Sequence, residues 1–160
     1  MNKRHKDLTQ RKKALPRFAV TLLFLGLSVF PAHPVTATDP VVVIVNTANP
    51  ATSLDVATIR KYYENDLLRW EDGREITLYD LRVKDAARQT FSREVLQKAP
   101  DTVAMEWANR KITNTAKNPP RTVSSEVLMQ ARVGKDPGAI GYLRRSTLSS
   151  GDVKVVATLE

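Results

Sequence analysis

Asp136-Pro137-Gly138-Ala139-Ile140-Gly141-Tyr142-Leu143 is the stretch whose reading decides the fold. A Pro-Gly corner releases into an apolar run with an aromatic near its end, the pattern of a short buried strand entered through a tight turn. Gly138 and Gly141 mark places where the backbone takes unusual torsions or has a neighbour close by. The plainest account is a strand whose glycines pack under a helix. Working outward, a capped helix precedes it, and a second apolar run, Val41-Val42-Val43-Ile44-Val45, lies far upstream and ends in Asn46-Thr47-Ala48-Asn49-Pro50. Two strands of this kind are expected side by side at the centre of one sheet.

Residues 1–37 read as a leader. Seven Lys or Arg, from Lys3 to Arg17, precede the 13-residue apolar run Phe18 to Phe30, and Pro31, Pro34 and Val35-Thr36-Ala37 follow. A basic, then apolar, then small-residue order is that of an export signal, here with cleavage near Ala37 and delivery to the periplasm. A run of 13 is too short to cross a bilayer comfortably, so no span is expected after cleavage. No Cys follows it to carry a lipid. The domain is then residues 38–160.

Without the leader the charge argument changes. The whole chain carries +8, but the leader holds seven of the 25 basic residues and one of the 17 acidic ones, so 18 minus 16 leaves +2. That excess is too small to suggest nucleic acid as a partner. Both histidines, His5 and His33, lie in the leader, and the chain has no Cys. An enzyme built on the remainder would lack imidazole bases and thiol nucleophiles, and no paired carboxylates stand at convincing spacing. The expectation is therefore a non-catalytic protein with no metal or cofactor.

Along the chain, Ser53 is placed as the cap of a first helix whose face carries Val56, Ile59, Tyr62 and Tyr63, and Asn65 suits its left-handed end. Trp70-Glu71-Asp72-Gly73 reads as a turn, and Ile76 to Leu81 alternates as a strand. A helix begins near Ala86 with Asp85 as cap and Ala87, Phe91 and Val95 on one face. Pro100 opens the next, with Ala104, Trp107, Ala108 and Ile112 as its buried stripe and Trp107 as a core anchor. Thr113 to Arg121 is a polar, Pro-rich loop. Ser124 or Ser125 caps a last helix with Val127, Leu128 and Ala131 inward and Gly134 closing it. Val153 to Ala157 supplies the final strand. Strands separated by helices predict an α/β domain with a largely parallel sheet covered by helices.

The candidate site follows the second strand. Arg82, Lys84 and Arg88 gather where a strand ends and a helix starts, the place where an open α/β sheet offers amides and a dipole to an anion. The alternative is a solvated basic rim, and Asp85, as the cap, takes up the space an anion would use.

The ordered set Val41 to Pro50, Ile59 to Asn65, Trp70 to Gly73, Arg88 with Phe91, Trp107, Pro119-Pro120-Arg121 and Pro137 to Tyr142 resembles the short exported relatives of the phosphate-binding protein of ABC transporters. The resemblance implies a periplasmic-binding-protein type II lobe, and a chain of this length implies one lobe of the two that close on a ligand. It implies a small oxyanion such as phosphate as ligand, with Arg82 and Arg88 as charge partners and Asn46 and Thr47 as polar contacts. The chain departs from the family in having Asp85-Ala86-Ala87-Arg88 where full-length phosphate binders carry a Gly-Ser-Gly-Thr loop. That departure keeps a second reading open: a lobe that has lost its ligand site and docks on a membrane transporter, a sensor or a copy of itself.

Overall fold

Valine and isoleucine build the centre of the sheet. Val41–Asn46 (β1) is buried at every position, as a strand covered on both faces must be. A computed structural model describes residues 39–159; the expected leader lies outside the described residues. After β1 come α1 (Val56–Glu64), β2 (Thr77–Leu81), α2 (Ala86–Phe91), which continues as a π-helical turn over Ser92–Leu96, α3 (Pro100–Ile112), β3 (Arg121–Val123), α4 (Glu126–Lys135), β4 (Ala139–Arg144) and β5 (Val153–Leu159). No helix among the described residues is long and apolar enough to cross a membrane.

The five strands lie in the order β3-β2-β4-β1-β5. β2 is parallel to both β3 and β4, whereas β1 is antiparallel to both β4 and β5. Four strands therefore point one way and β1 alone is reversed. The expected pairing of the two apolar strands is present, with Val43 opposite Tyr142 and Ile44 opposite Gly141. The result is a mixed α/β domain with a mostly parallel sheet and helices on both faces.

The glycines of β4 are there for close approach. A Cβ on Gly141 would stand 2.4 Å from Met129 Sδ and 3.0 Å from Val133 Cγ2, and one on Gly138 would stand 2.5 Å from the Glu75 carbonyl. Helix α4 thus lies directly on the backbone of β4. On the opposite face Tyr142 stacks on Phe91, centroids 4.0 Å apart, and Tyr63 meets Phe91 edge-on at 4.8 Å.

Local signals hold at several ends. Asn65 takes the left-handed conformation after α1, Asp85 caps α2, and Pro100 opens α3. Four expectations are corrected. The cap of α1 is Asp55, whose Oδ1 accepts from Thr58 N at 2.6 Å, because Leu54 N is already bonded to Val156 O and Ser53 belongs to an extended segment. The loop from Thr113 ends in a strand, β3, which pairs with β2. Helix α3 buries only Val103 fully; Trp107 is half-buried beneath the Arg110 guanidinium at 5.0 Å, and Ile112 is 83% exposed. Helix α4 turns Met129 and Val133 inward over Gly141, with Leu128 half-buried against the core as expected, and leaves Val127, 70% exposed, and Ala131 outside. The buried tryptophan is Trp70, whose Nε1 donates to Gly138 O at 2.9 Å.

Candidate functional site

β2 and β3 end together. Their register sets Asp80 beside Thr122 and Leu81 beside Val123, so Arg82 and Ser124 leave the sheet at one rim, and the parallel β4 brings Arg144 to the same end. Outside the carboxyl ends of parallel strands helix amino termini converge, which makes this rim the place for an anion. Both helices that start here already hold a carboxylate. Asp85 Oδ1 accepts from Ala87 N at 2.9 Å at the head of α2. At the head of α4, Ser125 Oγ accepts from Leu128 N at 3.2 Å, and the buried Glu126 accepts from Arg144 N at 2.8 Å and Nε at 2.7 Å. With the helix termini so occupied, an external anion has to be held by side-chain cations.

Those cations stand on an ionic and aromatic cluster. Alternation along β2 turns Asp80 toward α2 and Tyr79 toward α4. Arg88, one turn before Phe91, points into the same space as Asp80, and its Nη2 lies 3.0 Å from Asp80 Oδ2. The other Asp80 oxygen accepts from Tyr142 O–H, which in turn accepts from Leu81 N at 3.2 Å. Burial pushes the Asp80 carboxyl above the usual carboxylate range, outweighing the opposing pull of Arg88 and the Tyr142 hydrogen bond. Burial, reinforced by the Asp80 charge, pushes the phenols of Tyr63 and Tyr142 well above their ordinary value. Arg88 is 2% exposed, yet its Nε and Nη1 have no acceptor, and neither does Ser92 Oγ. Unpartnered buried donors of this kind are uncommon and call for an explanation.

Two clefts open beside this cluster. One, of about 240 Å³, lies between the β2/β3 edge and α3 and is lined by Asp80, Arg82, Arg88, Trp107, Lys111 and Thr122 among others. The second, of about 470 Å³, lies on the α4 side and includes Arg82, Arg121, Thr122, Ser124 and Arg132. Arg82 is exposed and borders both.

The structure brings Arg82 and Arg88 to one cleft and sets Asn46 and Thr47 apart from them. Because β1 is reversed, its carboxyl end lies where β4 begins, roughly 16 Å along the sheet from the rim at about 3.3 Å per residue. The Asn46 amide is spent on structure: Nδ2 donates to Val133 O at 3.2 Å and Gly134 O at 2.7 Å, closing α4, and Oδ1 accepts from Ala48 N at 2.8 Å. Thr47 sits in an exposed turn with its N–H donated to Asp152 O. Lys111 and Thr122, which line the cleft, carry no sequence signal that separates them from other surface polar residues.

The sequence matches no protein-family model and no curated protein. Among solved structures it is similar to a Clostridium perfringens protein crystallised with bound phosphate and assigned to the phosphate ABC transporter substrate-binding proteins, at TM-score 0.59 and 18% identity over 74% of this chain and 44% of that one. It is similar also to an ABC-type phosphate transport receptor from Vibrio cholerae, at TM-score 0.58 and 17% identity over 74% of this chain and 45% of that one. What the chain shares with them is the fold: a mixed α/β lobe with helices on both faces of one sheet. The chain spans less than half the length of either protein.

Proposed function

We infer that this chain is an exported, non-catalytic oxyanion-binding protein of the solute-binding type, and that its ligand seats in the cleft between β2/β3 and α3. The observation that carries this is the make-up of that cleft: the exposed Arg82 and Lys111 line it beside the buried Arg88, whose Nη2 is held to Asp80. Three basic groups against one carboxylate favour an anion. An oxyanion with several acceptor oxygens matches fixed guanidinium donors. Asp80 opposes the ligand and a single lobe covers one side of it, so affinity is weak. The likeness to phosphate receptors supports phosphate as the first ligand to try, and the basic, apolar and small-residue order of residues 1–37 supports export to the periplasm. Partners would be a membrane transporter or sensor.

One observation favours a second reading, a lobe that docks on another protein: Asp85 caps α2 and Ser125 caps α4, so both helix termini at the rim are occupied, and Glu126 neutralises Arg144 beside them.

Calorimetric titration with phosphate, sulfate and acetate separates the two. The solute reading expects weak binding that Arg82→Ala or Lys111→Ala removes without moving the unfolding midpoint. Asp85→Gly, which frees the α2 terminus, should tighten it. No heat at millimolar ligand in either the wild type or Asp85→Gly would leave the docking reading in its place.

A further inference from the structure

Apart from Arg82 and Thr122, which border both clefts, the outer edge of β3 and the groove beside it are not used by the solute reading. β3 closes the sheet on one side, Arg121 and Thr122 are exposed, and among the described residues no backbone group of residues 121–123 is hydrogen-bonded outside its ladder with β2. On the α4 side this edge borders the groove of about 470 Å³, whose wall contains Arg82, Arg121 and Arg132 and no carboxylate. Arg69, Arg74, Arg93 and Arg144 each face an Asp or Glu; the three in the groove, like Arg60, Arg110 and Arg145 elsewhere, have no carboxylate within 4.0 Å among the described residues, and what sets the three apart is that they share one groove.

We propose that the β3 edge is a docking site for an extended acidic segment of a partner protein, which adds to the sheet as a further strand and lays carboxylates at alternate positions against Arg82, Arg121 and Arg132. An exposed edge is a row of backbone donors and acceptors that a peptide strand can satisfy. Side chains of an added strand alternate between faces, so only every second residue reaches the groove, and those are the acidic ones. Guanidinium forks hold carboxylates in two-pronged contacts. A nucleic acid or an anionic membrane would meet the arginines but leave the edge unpaired, which is why a peptide fits the two observations together. With three residues in β3, the ladder is short and most of the affinity comes from charge, so added salt weakens it. Charged side chains on an edge also keep copies of a protein from pairing. That guarding role alone predicts no ligand.

Fluorescence polarisation of a labelled peptide alternating glutamate and valine, added to the full chain at low salt with and without millimolar phosphate, tests this. The alternating peptide should bind in both conditions, more tightly than a peptide of the same composition with its glutamates grouped at one end. Methylating its alternate backbone nitrogens on the pairing side should abolish binding. Arg121→Glu with Arg132→Glu should weaken it at least about tenfold, as reversing charges across an interface does, with the unfolding midpoint unchanged. Equal binding of the grouped peptide, survival of binding after methylation or charge reversal, stronger binding of phosphatidylglycerol vesicles or of DNA, or no binding at all would each overturn the proposal. Because phosphate enters only as a condition, failure here leaves the solute reading standing, and the reverse holds too.

Discussion

Arg88 Nη2 sits 3.0 Å from Asp80 Oδ2, with the two side chains 2% and 12% exposed, so each charge depends on the other for its place in the core. Removing one partner strands the other in low dielectric. Arg88→Ala and Asp80→Ala should each lose about 3–5 kcal/mol in urea unfolding. Replacing both by alanine should lose less than the sum, and a double-mutant cycle on the wild type, the two single variants and this double variant reads the coupling directly.

Asp80 also sets a pH dependence. Its folded carboxyl titrates above its unfolded value, so in the interval between the two the folded state binds the extra proton, and stability falls as pH rises through that interval. Asp80→Asn removes this contribution. Measured across the range just above the ordinary carboxylate value, the wild type should lose stability relative to Asp80→Asn with rising pH; parallel curves would show that the Arg88 pairing cancels the cost of burial.

The two tryptophans should respond unequally. Trp70 is 4% exposed, meets Tyr62 edge-on at 5.0 Å and donates to Gly138 O, so Trp70→Ala should cost about 3–5 kcal/mol. Trp107, half-buried under Arg110, should cost clearly less. Urea midpoints decide this, and a Trp107 loss equal to that of Trp70 would contradict the packing of α3.

Gly141→Ala drives a methyl group into Met129 Sδ. Overpacking of this kind costs about 1–3 kcal/mol. Combined with Met129→Ala, which opens the same space, the added methyl should be tolerated, so the double variant should be more stable than the sum of its parts predicts.

Asn46→Ala separates structure from binding. It removes the donors to Val133 O and Gly134 O at the end of α4 and should cost about 1–3 kcal/mol, while leaving any phosphate titration of the folded protein unchanged. A lost titration with normal stability would return Asn46 to the ligand site.

Much of the architecture was legible because it rests on local patterns. The all-apolar β1, the corner at Pro137-Gly138 and the left-handed end at Asn65 each announce themselves in a few residues. β3 was not legible: it is three residues long, follows Pro119-Pro120, and owes its existence to β2 lying alongside. On α4, Leu128 lies against the core as its apolarity suggested, but Val127 and Ala131 face out although they are as apolar as Met129 and Val133, which lie over Gly141. At the site, the meeting of Arg82 and Arg88 at one rim followed from strand-then-helix order. That Arg88 would turn inward to Asp80 could not be read, since an arginine in a first helical turn ordinarily faces water. The distance of Asn46 from both depends on β1 running against its neighbours, a tertiary fact.

The reversal of β1 bears on how the protein comes to be made. Among the described residues the strand at the heart of the sheet comes first along the chain, and its two partners, β4 and β5, come last. A ribosome delivering residues in order exposes an apolar segment, Val41 to Val45, about a hundred residues before its partners β4 and β5 among the described residues. Closing such long loops is slow compared with local helix formation, so the helices between β1 and β4 should gain structure before the central strand finds its partners.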